Sequence, residues 1–268
     1  MKVLFVDINE EAGEATRQAM LRYCQENDVI FVKCDVTDAE QFTEAFNRAV
    51  REFGAVEICV NNAGIEDERI PETMIAINQT ATIRGSLLSL EHMRRDKGGR
   101  GGVIINTSST NGLIYGQSRF PVYMSTKRAI VAFTTAWANN PDQKTHDVRW
   151  AVVSPCWVLT PLSAAGEEAG IKAGRRYPPP IIPEGYDHPN VPQEIWLRPI
   201  DAALGYMTVL DDDDSNGYVI MVDRDMDTKR LVLQEIMKMD KSRTPIESLV
   251  LKKRFFVPPV VEPGTPCL

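Results

Sequence analysis

The chain has 268 residues, 43% of them apolar and 25% charged, with a formal net charge of −7. That balance fits one α/β domain or two small ones, and the acidic sign without an extended basic patch argues against a nucleic-acid partner. No run of about 20 apolar residues is present to span a bilayer, and MKVLFVD passes too soon into an acidic helix to be a signal peptide.

The pattern predicts a first strand over Lys2–Val6, closed by Asp7, then a helix over Glu10–Gln25. A second strand, Ile30–Cys34, runs into Asp35-Val36-Thr37. Thr37 is expected to cap a helix whose apolar face is Phe42, Ala45, Phe46, Ala49, Val50 and Phe53. A third strand, Glu57–Val60, ends at Asn61-Asn62-Ala63-Gly64. One long helix is expected over Glu72–Arg95, stopped by Gly98-Gly99. A strand over Gly102–Thr107 leads into a loop from Ser108 to Phe120, followed by a helix over Val122–Asn139. Arg149–Ser154 reads as a strand, Asp201–Leu210 as a helix, and Tyr218–Val222 as the last strand, after an Asn216-Gly217 turn.

Alternating strands and helices imply an α/β fold of three layers, a doubly wound parallel sheet with helices on both faces. Residues 1–225 are expected to form the catalytic and binding domain, and 226–268 a partly irregular extension, extended or disordered beyond Phe255. Pro161–Pro199 breaks the alternation, is rich in Pro and Gly, and carries Arg175, Arg176 and Tyr177. At the carboxyl end of a strand, such an insert suits a lid or substrate loop. Five scattered cysteines (Cys24, Cys34, Cys59, Cys156, Cys267) form no CxxC pair, which suggests a reduced, cytoplasmic chain.

Tyr123 and Lys127 stand four apart, on one helical face. An ammonium beside a phenol lowers its pKa from about 10 and makes a general base near neutrality. Taken alone, the spacing is far more often that of an ordinary helical pair. Its context is narrower: NNAG (61–64) follows a strand, IINTSS (104–109) is a strand running into hydroxyls, Asn78 lies between them, and VVSP (152–155) precedes Thr160. Each falls at the strand ends where doubly wound sheets bind ligands.

In this order and spacing, NNAG, SS and YxxxK resemble the short-chain dehydrogenase/reductase family from residue 2 to about 225. The stretch from ETMIAINQ to SSTNGL, together with DDDSNGYVIMV, resembles its NAD-dependent 15-hydroxyprostaglandin dehydrogenase branch. The resemblance implies a Rossmann-like fold and an NAD(H)-dependent oxidoreductase that interconverts a secondary alcohol and a ketone. It makes Tyr123 the general acid/base and Lys127 the residue that lowers its pKa and binds the nicotinamide ribose. Ser109 would hydrogen-bond the substrate carbinol or carbonyl, and Asn78 would anchor a relay water. Ser109 is preferred to Ser108 because Gly112-Leu113 aligns with the family's Gly-Leu. Asp7 would bind the adenosine ribose and select NAD over NADP, with Ile8 beside the adenine. Cys34, Asp35 and Val36 match the adenine contact, Asn61 and Gly64 the cofactor wall, and Val158 and Thr160 the segment over the nicotinamide amide. A homodimer or homotetramer is also implied.

The departures are as informative. The family's first strand and TGxxxGxG turn, the βα unit that gives its N–H groups to the pyrophosphate, have no counterpart here. Three explanations compete: a truncated form of an ordinary enzyme, which is favoured; a non-catalytic pseudoenzyme serving as a binding or scaffold protein; or a gap filled by another segment or chain. Cys156 stands where a glycine usually follows the proline and is expected to pack. Phe120 replaces a substrate-contacting glutamine and points to a more apolar alcohol or ketone. His92, His146 and His188 lack ligand spacing, and Asp211–Asp214 reads as a solvated turn.

Overall fold

The computed structural model describes residues 1–113, 120–160, 162 and 196–223 in full, and 224, 231–237 and 253–256 by backbone alone. Short β-branched runs form β1 (Val3–Asp7), β2 (Val29–Lys33), β3 (Ile58–Asn61), β4 (Gly102–Thr107), β5 (Val148–Pro155) and β6 (Val219–Arg224). Between them lie α1 (Glu10–Met20), α2 (Ala39–Phe53), α3 (Pro71–Ile75), α4 (Thr82–Met93), α5 (Pro121–Ala138), α6 (Gln143–His146) and α7 (Pro199–Leu210). Strands β3 to β6 pair in parallel in chain order. Side chains alternate across this sheet as the pleat requires. Val103, Ile105, Ala151, Val153, Ile220 and Val222 pack under α7, while Ile104, Val148 and Trp150 pack under α4 and α5.

Several local expectations are corrected. Tyr218–Val222 is not the last strand: β7 (Leu231–Met237) and β8 (Lys253–Phe256) extend the sheet antiparallel, so it is mixed and the extension is partly ordered. Asp38, not Thr37, caps α2, its Oδ1 accepting the N–H groups of Glu40 and Gln41 at 2.9 and 3.1 Å. Thr37 instead donates to Asp35. The helix expected over 72–95 is interrupted by a π-helical stretch, Ala76–Ala81, that contains Asn78. Such widened turns cluster at functional sites. The insert at 161–199 lies outside the described residues except at 162 and 196–199. Its two ends meet where Val158 bridges Leu197 and Trp157 stacks on Trp196 at 6.0 Å. The tail beyond 256 also lies outside them.

The strands fall into two sheets. Strands β1 and β2 form a parallel sheet of their own, separate from β3–β8. Among the described residues, β1 pairs only with β2 and β3 only with β4, so each keeps an open edge. Ile58 and Val60 on β3 are 41% and 43% exposed. Helices join the two sheets instead. Phe46 of α2 meets His92 of α4 at 5.0 Å, and Arg84 of α4 donates to the carbonyls of Val36 and Thr37 at 3.1 Å each.

A buried polar network ties β3, α4, β4 and α5 together. Asn61 Nδ2 donates to Ser86 Oγ at 3.1 Å and Asn106 Oδ1 at 2.8 Å, and Asn106 Nδ2 donates to Thr134 Oγ1 at 2.9 Å. Gly85 permits this approach: a Cβ there would lie 2.3 Å from Asn61 Oδ1 and 2.8 Å from the Phe42 ring. Gly85→Ala is therefore expected to destabilise the fold by about 1–3 kcal/mol through overpacking. A urea midpoint equal to that of the parent would show that the contact is not tight.

Candidate active site

The site is built where β4 ends, where α5 begins, and on the loop after β3. Phe120 provides no side-chain cap for α5, and Pro121 occupies the first helical turn, where its missing N–H costs nothing. Tyr123 and Lys127 follow on the buried face of α5, both almost wholly enclosed. Lys127 Nζ donates to the Thr107 carbonyl at 3.2 Å and lies 5.6 Å from the centroid of the Tyr123 ring.

The two serines after β4 differ sharply. Ser108 Oγ donates to the Lys127 carbonyl at 2.8 Å and is packed where a Cβ on Gly112 would lie 2.6 Å away. It fastens α5 to the strand end. The Ser109 hydroxyl acts on the Tyr123 phenol, favouring its ionised form, and its Oγ accepts the Asn111 N–H at 3.2 Å. Asn78 is fully buried in the π-helical turn. Its Oδ1 accepts the Ile65 N–H and its Nδ2 donates to the Ile65 carbonyl, both at 2.8 Å, with Thr126 Oγ1 at 3.3 Å. The Asn78 amide is thus committed to holding the loop. Gly64 is tucked beneath it, where a Cβ would lie 3.3 Å from both Asn78 Oδ1 and Lys127 Nζ.

The electrostatics depart from expectation. Burial pushes the Tyr123 phenol well above its ordinary value, the Glu66 carboxylate raises it further, and the Ser109 hydrogen bond opposes both. The spacing alone predicts a phenol lowered by Lys127. In the structure the ammonium lies over the ring and serves a carbonyl, so desolvation dominates. Burial also pulls Lys127 down to about 8, opposed by Glu66.

A second group gathers at the carboxyl ends of β1 and β2. Asp7 is exposed there, accepting the Asn9 N–H at 2.8 Å, and Ile8 beside it is 53% exposed. The Cys34 N–H donates to the Asp7 carbonyl at 3.0 Å, and its thiol is pushed up to about 11, chiefly by burial. Asp35 holds Thr37, and the Val36 carbonyl accepts from Arg84. The chain therefore brings Gly64, Asn78, Ser109, Tyr123 and Lys127 into one cluster and Asp7, Ile8, Cys34, Asp35 and Val36 into another. The Asn61 side chain belongs to the buried network rather than to an open wall. Val158 and Thr160 lie beyond β5, with Thr160 Oγ1 3.4 Å from the Val158 carbonyl. Cys156 packs against the core under α7.

Three contributors escape the sequence patterns. Glu66 and Glu68 lie within a short acidic stretch that carries no motif, and Tyr206 lies in an otherwise apolar helix. The Tyr206 hydroxyl is 2.7 Å from Thr107 Oγ1 and 3.3 Å from Asn62 Oδ1, and burial pushes it up to about 12.

The two clusters suit the two ends of a dinucleotide. An exposed carboxylate beside an exposed isoleucine offers a ribose acceptor and an apolar rest for a base. The buried Ser109, Tyr123 and Lys127 offer donors to a second ribose and to a reacting oxygen. Between them, along the open edges of β1 and β3, no glycine-rich turn occurs among the described residues.

The chain is similar to known proteins. The profile of the family described as short chain dehydrogenase matches residues 1–169. The chain is 33% identical to the 15-hydroxyprostaglandin dehydrogenase [NAD(+)] of Mus musculus over 224 residues, covering 82% of this chain and 80% of that protein. The Homo sapiens protein of the same name is also 33% identical, over 82% of this chain and 81% of its own length. Among solved structures, a short-chain dehydrogenase/reductase of unknown function from Caenorhabditis elegans, determined with cofactor, superposes with a TM-score of 0.56 at 27% identity, covering 64% of this chain and 67% of that one. Levodione reductase shares the fold, with a TM-score of 0.62 at 23% identity over 83% of this chain and 86% of its own.

Proposed function

The chain belongs to the short-chain dehydrogenase family, and we propose that it is an NAD-dependent oxidoreductase interconverting a secondary alcohol and a ketone. The observation that carries this is the buried cluster of Ser109, Tyr123 and Lys127 at the carboxyl edge of the sheet. NAD, when bound, supplies the acceptor for the hydride that leaves the carbinol carbon. Ser109 orients the carbinol oxygen. The Tyr123 oxygen takes the hydroxyl proton in oxidation and returns it in reduction. A phenol this buried resists ionisation, so its oxyanion depends on the Ser109 hydrogen bond and on Lys127 above its ring, against the opposing charge of Glu66. Asp7 and Ile8 would hold the adenosine end, and Lys127 the nicotinamide ribose. Gly64 leaves room beside Asn78 and Lys127 for close approach of the chain. Phe120, at the start of α5, favours an apolar substrate. Among the described residues Cys24, Cys34, Cys59 and Cys156 are free thiols, which suits a reducing compartment such as the cytoplasm. Assembly as a homodimer or homotetramer belongs to the same proposal.

One observation favours a second reading. Among the described residues, the open edges of β1 and β3 offer the middle of a dinucleotide no anchor, as would suit a non-catalytic binding protein on the same fold. Activity separates the two. The purified chain, given NAD and apolar secondary alcohols, is expected to generate NADH, detected by its fluorescence. A folded chain that generates none with any alcohol refutes the enzyme reading. In the active chain, Asp7→Ser should lower the preference for NAD over NADP by about tenfold or more, since the repelling carboxylate is gone. An unchanged preference would remove Asp7 from the cofactor site.

A further inference from the structure

The first turn of α5 leaves an orphan-donor problem that its own sequence does not solve. Pro121 has no N–H to offer, and Phe120 has no acceptor side chain. The Met124 N–H reaches the Phe120 carbonyl at 2.9 Å. That leaves the N–H groups of Val122 and Tyr123. Both go to one carboxylate more than fifty residues away: Glu68 Oε2 accepts from Val122 at 3.1 Å and Oε1 from Tyr123 at 2.9 Å.

We propose that Glu68 is a positioning residue of the active site, a helix cap supplied from the loop after β3 that fixes the first turn of α5 and with it Tyr123. This rests on the enzyme reading given above. Glu68 is well placed to transmit rigidity, because its loop is held at both sides. Asn78 grips Ile65 through N–H and carbonyl together, and Asp67 forms a two-point pair with Arg69 at 2.7 Å for each contact. A carboxylate at a helix N-terminus also meets the positive end of the helix dipole. Tyr123 donates its own backbone N–H to the cap, so a frayed first turn would displace the phenol directly. Displacements near 1 Å can cost about 10²-fold in rate.

The test compares Glu68→Ala with Glu68→Gln, which keeps the shape and one acceptor oxygen. Glu68→Ala is expected to lower kcat about 10–100-fold while KM for the alcohol and Kd for NAD stay within about twofold, and Glu68→Gln should recover much of the loss. Hydrogen exchange supplies a readout independent of activity. In Glu68→Ala the amides of 122 and 123 should lose protection while the middle of α5 keeps it. A folded Glu68→Ala chain with parental kcat, or with intact protection at 122 and 123, overturns the proposal. So does a Glu68→Gln chain as impaired as Glu68→Ala. If the parent chain itself is inactive, the enzyme reading fails, and the exchange measurement still decides whether Glu68 caps α5.

Discussion

Tyr123→Phe is expected to lower kcat for alcohol oxidation by about 10²–10⁴-fold, with NAD affinity within about twofold of the parent. The substitution removes one oxygen from a ring that is otherwise held by burial on the inner face of α5, with Lys127 at 5.6 Å from its centroid. Packing is therefore kept, and only the proton-transfer atom and its bond to Ser109 are lost. The chain should remain folded, with a thermal midpoint near that of the parent. Steady-state kinetics with circular dichroism decides the matter. A folded variant retaining kcat within about threefold would mean that the proton leaves by another route.

Lys127→Met separates activity from stability. Loss of the ammonium should lower kcat/KM about 10²-fold or more, because the phenolate loses its nearest cation and the ribose loses a donor. Stability should move the other way. Burial pulls Lys127 to about 8 from 10.5, so holding its charge inside the fold is unfavourable at neutral pH. Replacing it with an apolar side chain of similar length is expected to raise stability by about 1–3 kcal/mol. The sign follows from proton counting. Between about 8 and 10.5 the unfolded chain holds more protons on this lysine than the folded one, so the parent gains stability with rising pH and its deficit against Lys127→Met closes. Below about 8 the deficit is constant. The comparison with the variant is needed because the buried thiols of Cys34, Cys59 and Cys156, each raised to about 11 from 9.0, pull stability down above pH 9 in both proteins. Urea titrations at several pH values measure the difference. A markedly less stable Lys127→Met chain would show that the bond to Thr107 outweighs desolvation.

Much of the scaffold is legible in the sequence for a simple reason. Strands such as Val103–Ile105 and Trp150–Val153 are short β-branched or aromatic runs, and α2 carries its apolar residues at helical spacing with Gly54 in a left-handed C-cap. The division of the strands into two sheets, β1-β2 and β3–β8, is a tertiary outcome that no single strand's pattern carries. The π-helical turn at Asn78 was not readable, because widening a helix by one residue depends on what packs against it: here Ile65 and Thr126. Strands β7 and β8 do not show in the sequence because neither LVLQEIM nor KRFF alternates apolar with polar residues.

The site divides in the same way. Ser109, Tyr123 and Lys127 carry a recognisable spacing, and all three lie where β4 ends and α5 begins. The spacing predicts a lowered Tyr123 phenol and burial raises it, because spacing reports neighbours but not depth. At this depth, desolvation exceeds the attraction of an ammonium placed over the ring. Glu66 and Glu68 carry no motif at all. Their importance arises from where the loop after β3 lies against α5, a tertiary fact.

The most direct measurement of the central claim is label transfer. The purified chain would be incubated with NAD and a secondary alcohol deuterated at its carbinol carbon, and the products analysed by mass spectrometry. The account predicts a ketone and a deuterated NADH formed together, with both lost in Tyr123→Phe. Ketone without label in the cofactor, or no product from a folded chain, would contradict it.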